Sequence, residues 1–110
     1  MNIQQIMALN INDLGQKVRE ATKLPLFLPA RDNASAWSLV EHLREKGVDV
    51  TINTASEESS AVKSGTADLW DWHVCLSVKT PEWGRLWHRV YAKTMPEAVF
   101  RAYLLYHFGP

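Results

Sequence analysis

Between residues 69 and 78 the chain alternates without a break. Trp70, Trp72, Val74, Leu76 and Val78 fall on one side, and Asp71, His73, Cys75, Ser77 and then Lys79 on the other. A period of two is that of a β-strand with one face turned towards a core. Burying two tryptophans and three branched aliphatics is worth about 10 kcal/mol gross, so such a strand demands a sheet with a cover on that side. The pattern predicts that Trp72 and Val74 are buried and Lys79 exposed.

The rest of the chain supplies the neighbours. Residues 3–8 suit a short helical turn. A helix follows with Asn12 as its cap, Asp13 at the positive end of the dipole, and Leu14, Val18 and Ala21 at helical spacing, weakened by Gly15. Pro25 and Pro29 bracket Leu26, Phe27 and Leu28 as an apolar connector. Asp32 or Asn33 then opens an amphipathic helix with Ala36, Trp37, Val40 and Leu43 on its sheet side and Glu41, Arg44 and Glu45 opposite. Gly47 closes it in the left-handed position.

Residues 48–53 alternate as a strand, residues 54–68 read as a long, mobile Ser/Glu-rich loop, and Leu86, Val90 and Ala92 mark a third strand after a turn at residues 80–84. Thr94, Pro96 and Glu97 form a capping box for a last helix that is apolar nearly all round and ends at Gly109 and Pro110. The expected architecture is one α+β domain over residues 1–110, in the order ααβββα. Its three-stranded antiparallel sheet carries packed helices in an α/β/α layered sandwich, with the tryptophan strand in the middle.

Composition narrows the function. Twelve basic residues balance twelve acidic ones, whereas a non-specific nucleic-acid binder draws its affinity from a basic excess. A single cysteine excludes an intrachain disulfide and a cysteine metal cluster. The N-terminal residues lack the layout of a signal peptide and no apolar run approaches membrane-spanning length, so the expected location is the cytoplasm.

Catalytic chemistry finds little purchase. His73 and His88, on neighbouring strands, could face one another as a zinc pair, but no spacing typical of a metal site supports it. Asp71, His73 and Cys75 share a strand face, yet residues two apart stand roughly 7 Å from each other, too far for a nucleophile and its base. Glu57 and Glu58 sit in the loop rather than in a preorganised carboxylate pair, and the five glycines are too scattered for a phosphate loop. The expectation is a non-enzymatic protein with no catalytic residue, metal or cofactor.

Several stretches together resemble the phage ABA sandwich domain family of small bacteriophage and prophage proteins. They are Asp32-Asn33-Ala34-Ser35-Ala36-Trp37, then Val40-Glu41-His42-Leu43-Arg44-Glu45-Lys46-Gly47. Trp72-His73-Val74 and Ala92-Lys93-Thr94-Met95-Pro96-Glu97-Ala98, continuing to Arg101-Ala102, complete the set over residues 30–105. The resemblance implies helix/sheet/helix layering and a phage origin, hence action in the host cell cytoplasm. It carries over no catalytic residues. It also makes a host protein the natural partner, for instance a defence effector such as a CRISPR complex that the protein would block.

The partner surface is expected at the hairpin. Trp83, Arg85, Trp87, Arg89 and Tyr91 are residue types enriched at interface hot spots, beside the acidic loop with Glu57 and Glu58, which would order on contact. Lys79, Lys93 and Arg101 extend that basic and aromatic interleaving, the composition of a base-stacking surface, and make single-stranded nucleic acid the alternative partner. The last helix offers more apolar surface than one sheet covers, which predicts a homodimer burying Phe100, Tyr103, Leu104 and Tyr106.

Overall fold

The computed structural model describes residues 1–25, 32–82 and 84–109. The apolar connector at residues 26–31, Trp83 and Pro110 lie outside the described residues. In chain order come α1 (Ile3–Ala8), α2 (Ile11–Thr22), α3 (Asn33–Glu45), β1 (Asp49–Thr54), the one-turn α4 (Ser60–Lys63), β2 (Trp72–Thr80), β3 (Gly84–Ala92) and α5 (Met95–Phe108). The strands make one antiparallel sheet in the order β1-β2-β3, so the strand of Trp72 is central. The fold is α+β with helices packed on a three-stranded sheet, as expected; α1 and α4 add to the anticipated order.

The long helices begin where a short polar side chain takes up a free backbone N–H. Asp32 accepts from Ser35 N–H at 2.7 Å and Thr94 from Glu97 N–H at 3.3 Å. The cap of α2 is Asn10, not Asn12, because Asn10 reaches Asp13 N–H at 2.8 Å. The Thr94 box is only half made: the Glu97 carboxylate turns to Arg101 instead. A reciprocal box stands at α1, between Asn2 and Gln5. Gly47, at φ +80°, follows α3 in the left-handed conformation its lack of a side chain allows.

The core lies between the sheet and α5. Val74, Leu76, Val90 and Ala92 meet Ala98, Val99, Ala102 and Leu105 there, and α3 adds Ala36, Leu39, Val40 and Leu43. Behind α5 pack α1 and α2, through Ile6, Leu14 and Val18. The second helical layer therefore lies behind α5 rather than across the sheet. This arrangement removes the reason for expecting a dimer through α5. Phe100, Tyr103 and Leu104 are fully buried within the chain by the N-terminal helices, and only Tyr106 keeps partial exposure.

Three tryptophans depart from expectation. Trp70 precedes β2 and is 58 % exposed, because a turn closes there: Asp71 N–H donates to the Asp68 carbonyl, and Trp70 takes φ +66° inside it. Trp72 is half-buried at the end of the sheet, while Val74 is buried and Lys79 exposed as predicted. Trp37 points outwards, 54 % exposed. The helical period puts Ala36, Leu39, Val40 and Leu43 on the core side and turns Trp37 towards the side of Glu41 and Arg44.

The loop after β1 is not the mobile segment that composition suggested. Ala55 N–H donates to the Asp71 carbonyl at 2.8 Å and Trp70 N–H to the Ala55 carbonyl at 2.6 Å, with Ala55 and Ala67 buried. Lys93 Nζ, just past β3, then bonds Asp71 at 2.8 Å and also the Asp68 carboxylate, which ties the C-terminal end of the segment to the end of β3. Among the described residues no helix is long and apolar enough to cross a membrane.

Candidate functional site

One sheet face is buried under α5 and α3; the other carries every side chain that alternates away from the core. On β3 these are Arg85, Trp87, Arg89 and Tyr91, successive on one face at roughly 6.7 Å spacing. The register sets Lys79 beside Arg85, Ser77 beside Trp87, Cys75 beside Arg89 and His73 beside Tyr91. From β1, Asp49 continues the row of Ser77, Thr51 that of Cys75, and Asn53 that of His73. Trp87 is 56 % exposed, and Arg85, Arg89 and Lys79 are exposed as well. The sequence had placed Trp87, Arg89 and Tyr91 opposite Leu86, Val90 and Ala92, and the structure does so.

Hydrogen bonds order this face. Arg85 donates through Nε to Ser77 Oγ at 2.6 Å and pairs through its guanidinium with Asp49. The His73 ring stacks on Tyr91, with centroids 4.7 Å apart, and its Nδ1 lies 2.7 Å from Asn53 Oδ1. Nδ1 is therefore the protonated nitrogen, since the Asn53 oxygen only accepts; among the described residues Nε2 is buried with no hydrogen-bond partner. Burial first, and then the Arg89 guanidinium, hold His73 below the usual histidine range, so the ring is neutral near pH 7.

At the His73 end, α4 and the segment before it border the face. A polar pocket of about 360 Å3 opens there, lined among others by Asn53, Glu58, Ser60, His73, Arg89 and Tyr91. The structure thus brings Glu58 to Arg89 and Tyr91, although Glu58 also faces Lys63 at 3.6 Å. Glu57 is exposed and takes no part in lining the pocket, and Trp83 is outside the described residues. Asn53, Ser59 and Ser60 carried no signal in the sequence. Their place depends on the β1–β2 register and on α4, which no local pattern specifies.

Other candidates separate. Lys93 is engaged by Asp68 and Asp71. Arg101 is buried, donating to the Ile6 and Leu9 carbonyls at 2.8 Å each, so neither extends the basic face. His73 and His88 cannot form a pair, because His88 lies opposite Leu76 on the core face, with its ring edge against Tyr106. The aligned Asp71, His73 and Cys75 have separate employments: Asp71 holds Lys93, His73 holds Asn53, and Cys75 is buried beside Arg89. No protein-family model, curated protein or solved structure matches the chain.

Proposed function

We propose that the protein is a non-enzymatic accessory protein, of phage origin, that binds a macromolecule of the host cell through the open face of its sheet. One observation carries this reading: Arg85, Trp87, Arg89 and Tyr91 stand in a continuous row on a face that the helices leave uncovered. Folding gains little from a tryptophan held half in water, whereas Trp, Tyr and Arg supply large contact area at low entropic cost in recognition. The resemblance of several stretches to phage proteins supports a host protein as partner, such as a defence effector that the protein would block. The basic and aromatic make-up of the face favours a second reading, single-stranded nucleic acid.

Capture from host lysate, with and without nuclease, tests the face. The wild-type chain should retain a defined component that Trp87→Ala and Arg89→Ala release, each substitution weakening binding by about 2 kcal/mol while the melting temperature stays within a degree or two. Retention of the same component by both variants would place the working surface elsewhere.

A further inference from the structure

The geometry points to single-stranded nucleic acid as the ligand of the open face, with the His73 pocket receiving one of its nucleotides. This inference rests on that face being the working surface and adds the chemistry of what it holds.

The first support is the order of side chains along β3. Arg85, Trp87, Arg89 and Tyr91 alternate cation and aromatic ring on one side of a single strand. A single strand of nucleic acid offers the complementary alternation of phosphate and unpaired base. Bases stack on exposed aromatic rings regardless of sequence, and arginines follow the backbone. Ser77, the cross-strand neighbour of Trp87, is small, so the indole is not overlaid by its partner and stays largely in solvent. Tyr91 is already stacked on His73, which fixes its ring against β2.

Local charge is the second support. The chain is neutral as a whole, but this face carries Lys79, Arg85 and Arg89, with Asp49 on β1 and Glu58 in the pocket as acidic neighbours. Asp49 is spent on Arg85, and among the described residues Arg89 and Lys79 form no ion pair. With Arg85 engaged by Asp49 and Ser77, Lys79 and Arg89 are the cations of this face that a polyanion would meet. An acidic peptide would satisfy the charges too, but not the alternating rings.

The third support is the pocket at the Tyr91 end. Its walls offer the Asn53 amide, the Ser59 and Ser60 hydroxyls, the Arg89 guanidinium and the Tyr91 ring, which are groups able to hydrogen-bond a base edge or phosphate beside a stacking surface. Glu58 also lines the pocket, and its carboxylate lies 3.6 Å from Lys63 Nζ.

Fluorescence anisotropy with labelled 12-nucleotide single-stranded DNA and RNA tests the inference, with the corresponding duplex as competitor. In 50 mM salt the full chain should bind the single strands and prefer them to duplex. Trp87→Ala should weaken binding about tenfold or more, the usual cost of losing one stacked base. Two or three phosphate contacts predict a slope of log K against log salt of about −1.4 to −2.1, and Arg89→Gln should make it shallower by about 0.7. Lys17→Ala, on α2 and away from the face, should change nothing. Absence of binding by folded protein, preference for duplex, or indifference to both face variants would overturn the inference. If oligonucleotides fail to bind while Trp87→Ala and Arg89→Ala still release a protein captured from lysate, the ligand is wrong and the open-face reading stands. If the two variants lose neither, both readings fall.

Discussion

Trp70 shows how a single residue can be held against its own preference. Its φ of +66° belongs to the left-handed region, which costs a side chain with a β-carbon about 1–2 kcal/mol. The conformation persists because its surroundings impose it: Trp70 N–H reaches the Ala55 carbonyl, Asp71 N–H the Asp68 carbonyl, and Asp68 N–H the Asp71 carboxylate at 2.9 Å. Since the indole is mostly in water, little packing offsets the strain. Trp70→Gly is therefore expected to leave the melting temperature unchanged or to raise it by a few degrees, whereas Trp70→Ala, which keeps the β-carbon, should gain nothing. A thermal melt in which the glycine variant loses several degrees would show that the indole packs more tightly than its exposure indicates.

Between elements, Arg101 performs a task of the same kind. It rises from α5 into the packing against α1 and donates to the carbonyl of Ile6, which also accepts from Leu9 N–H, and to that of Leu9, just past the helix end. Arg101→Met keeps most of the stem but leaves the Leu9 carbonyl without its donor, at a cost of about 2–4 kcal/mol. The expected result is a melting temperature at least about 10 °C lower and faster proteolysis within residues 1–10. An unchanged melt and digest would mean that α1 is held by Ile6 alone.

The sequence could not disclose this contact, which joins residues 95 positions apart. What it did disclose was periodic. The alternation of β2, the row on β3 and the caps at Asp32 and Thr94 are local, and each is found where the pattern put it. Patterns failed where a tertiary decision intervened. Trp70 read as strand until the Asp68 turn claimed it, and the apolar girth of α5 read as a dimer surface because nothing local told that α1 and α2 would wrap it. Likewise the row of Arg85 to Tyr91 was legible from its period alone, but the pocket beside it awaited the β1–β2 register.

Across the described residues, His73, His88 and Asp71 have displaced titrations that bear on acid, and they act in two pH ranges. His73 on the open face and His88 on the core face are both held below the ordinary value of 6.5, His88 by burial and His73 by burial and then Arg89. A histidine with a lowered folded value binds protons more readily when unfolded. Its contribution is thus complete above pH 6.5 and declines as pH falls through the folded value. Asp71 is lowered from 3.8 chiefly by the Lys93 ammonium and next by Asp68 N–H, so its contribution is intact above pH 3.8 and disappears as pH falls through the lower folded value. Stability should therefore fall in two stages on acidification, the first beginning near pH 6.5 and the second below pH 4. Urea midpoints measured from pH 8 to pH 2.5 separate the stages. His88→Gln should flatten the first and leave the second. Asp71→Asn should be less stable than wild type at pH 7, because it weakens the tie from Lys93 to the start of β2, and its deficit should shrink as pH falls below 3.8. Stability that rises between pH 7 and pH 5, or an Asp71→Asn deficit that grows as pH falls below 3.8, would contradict these assignments.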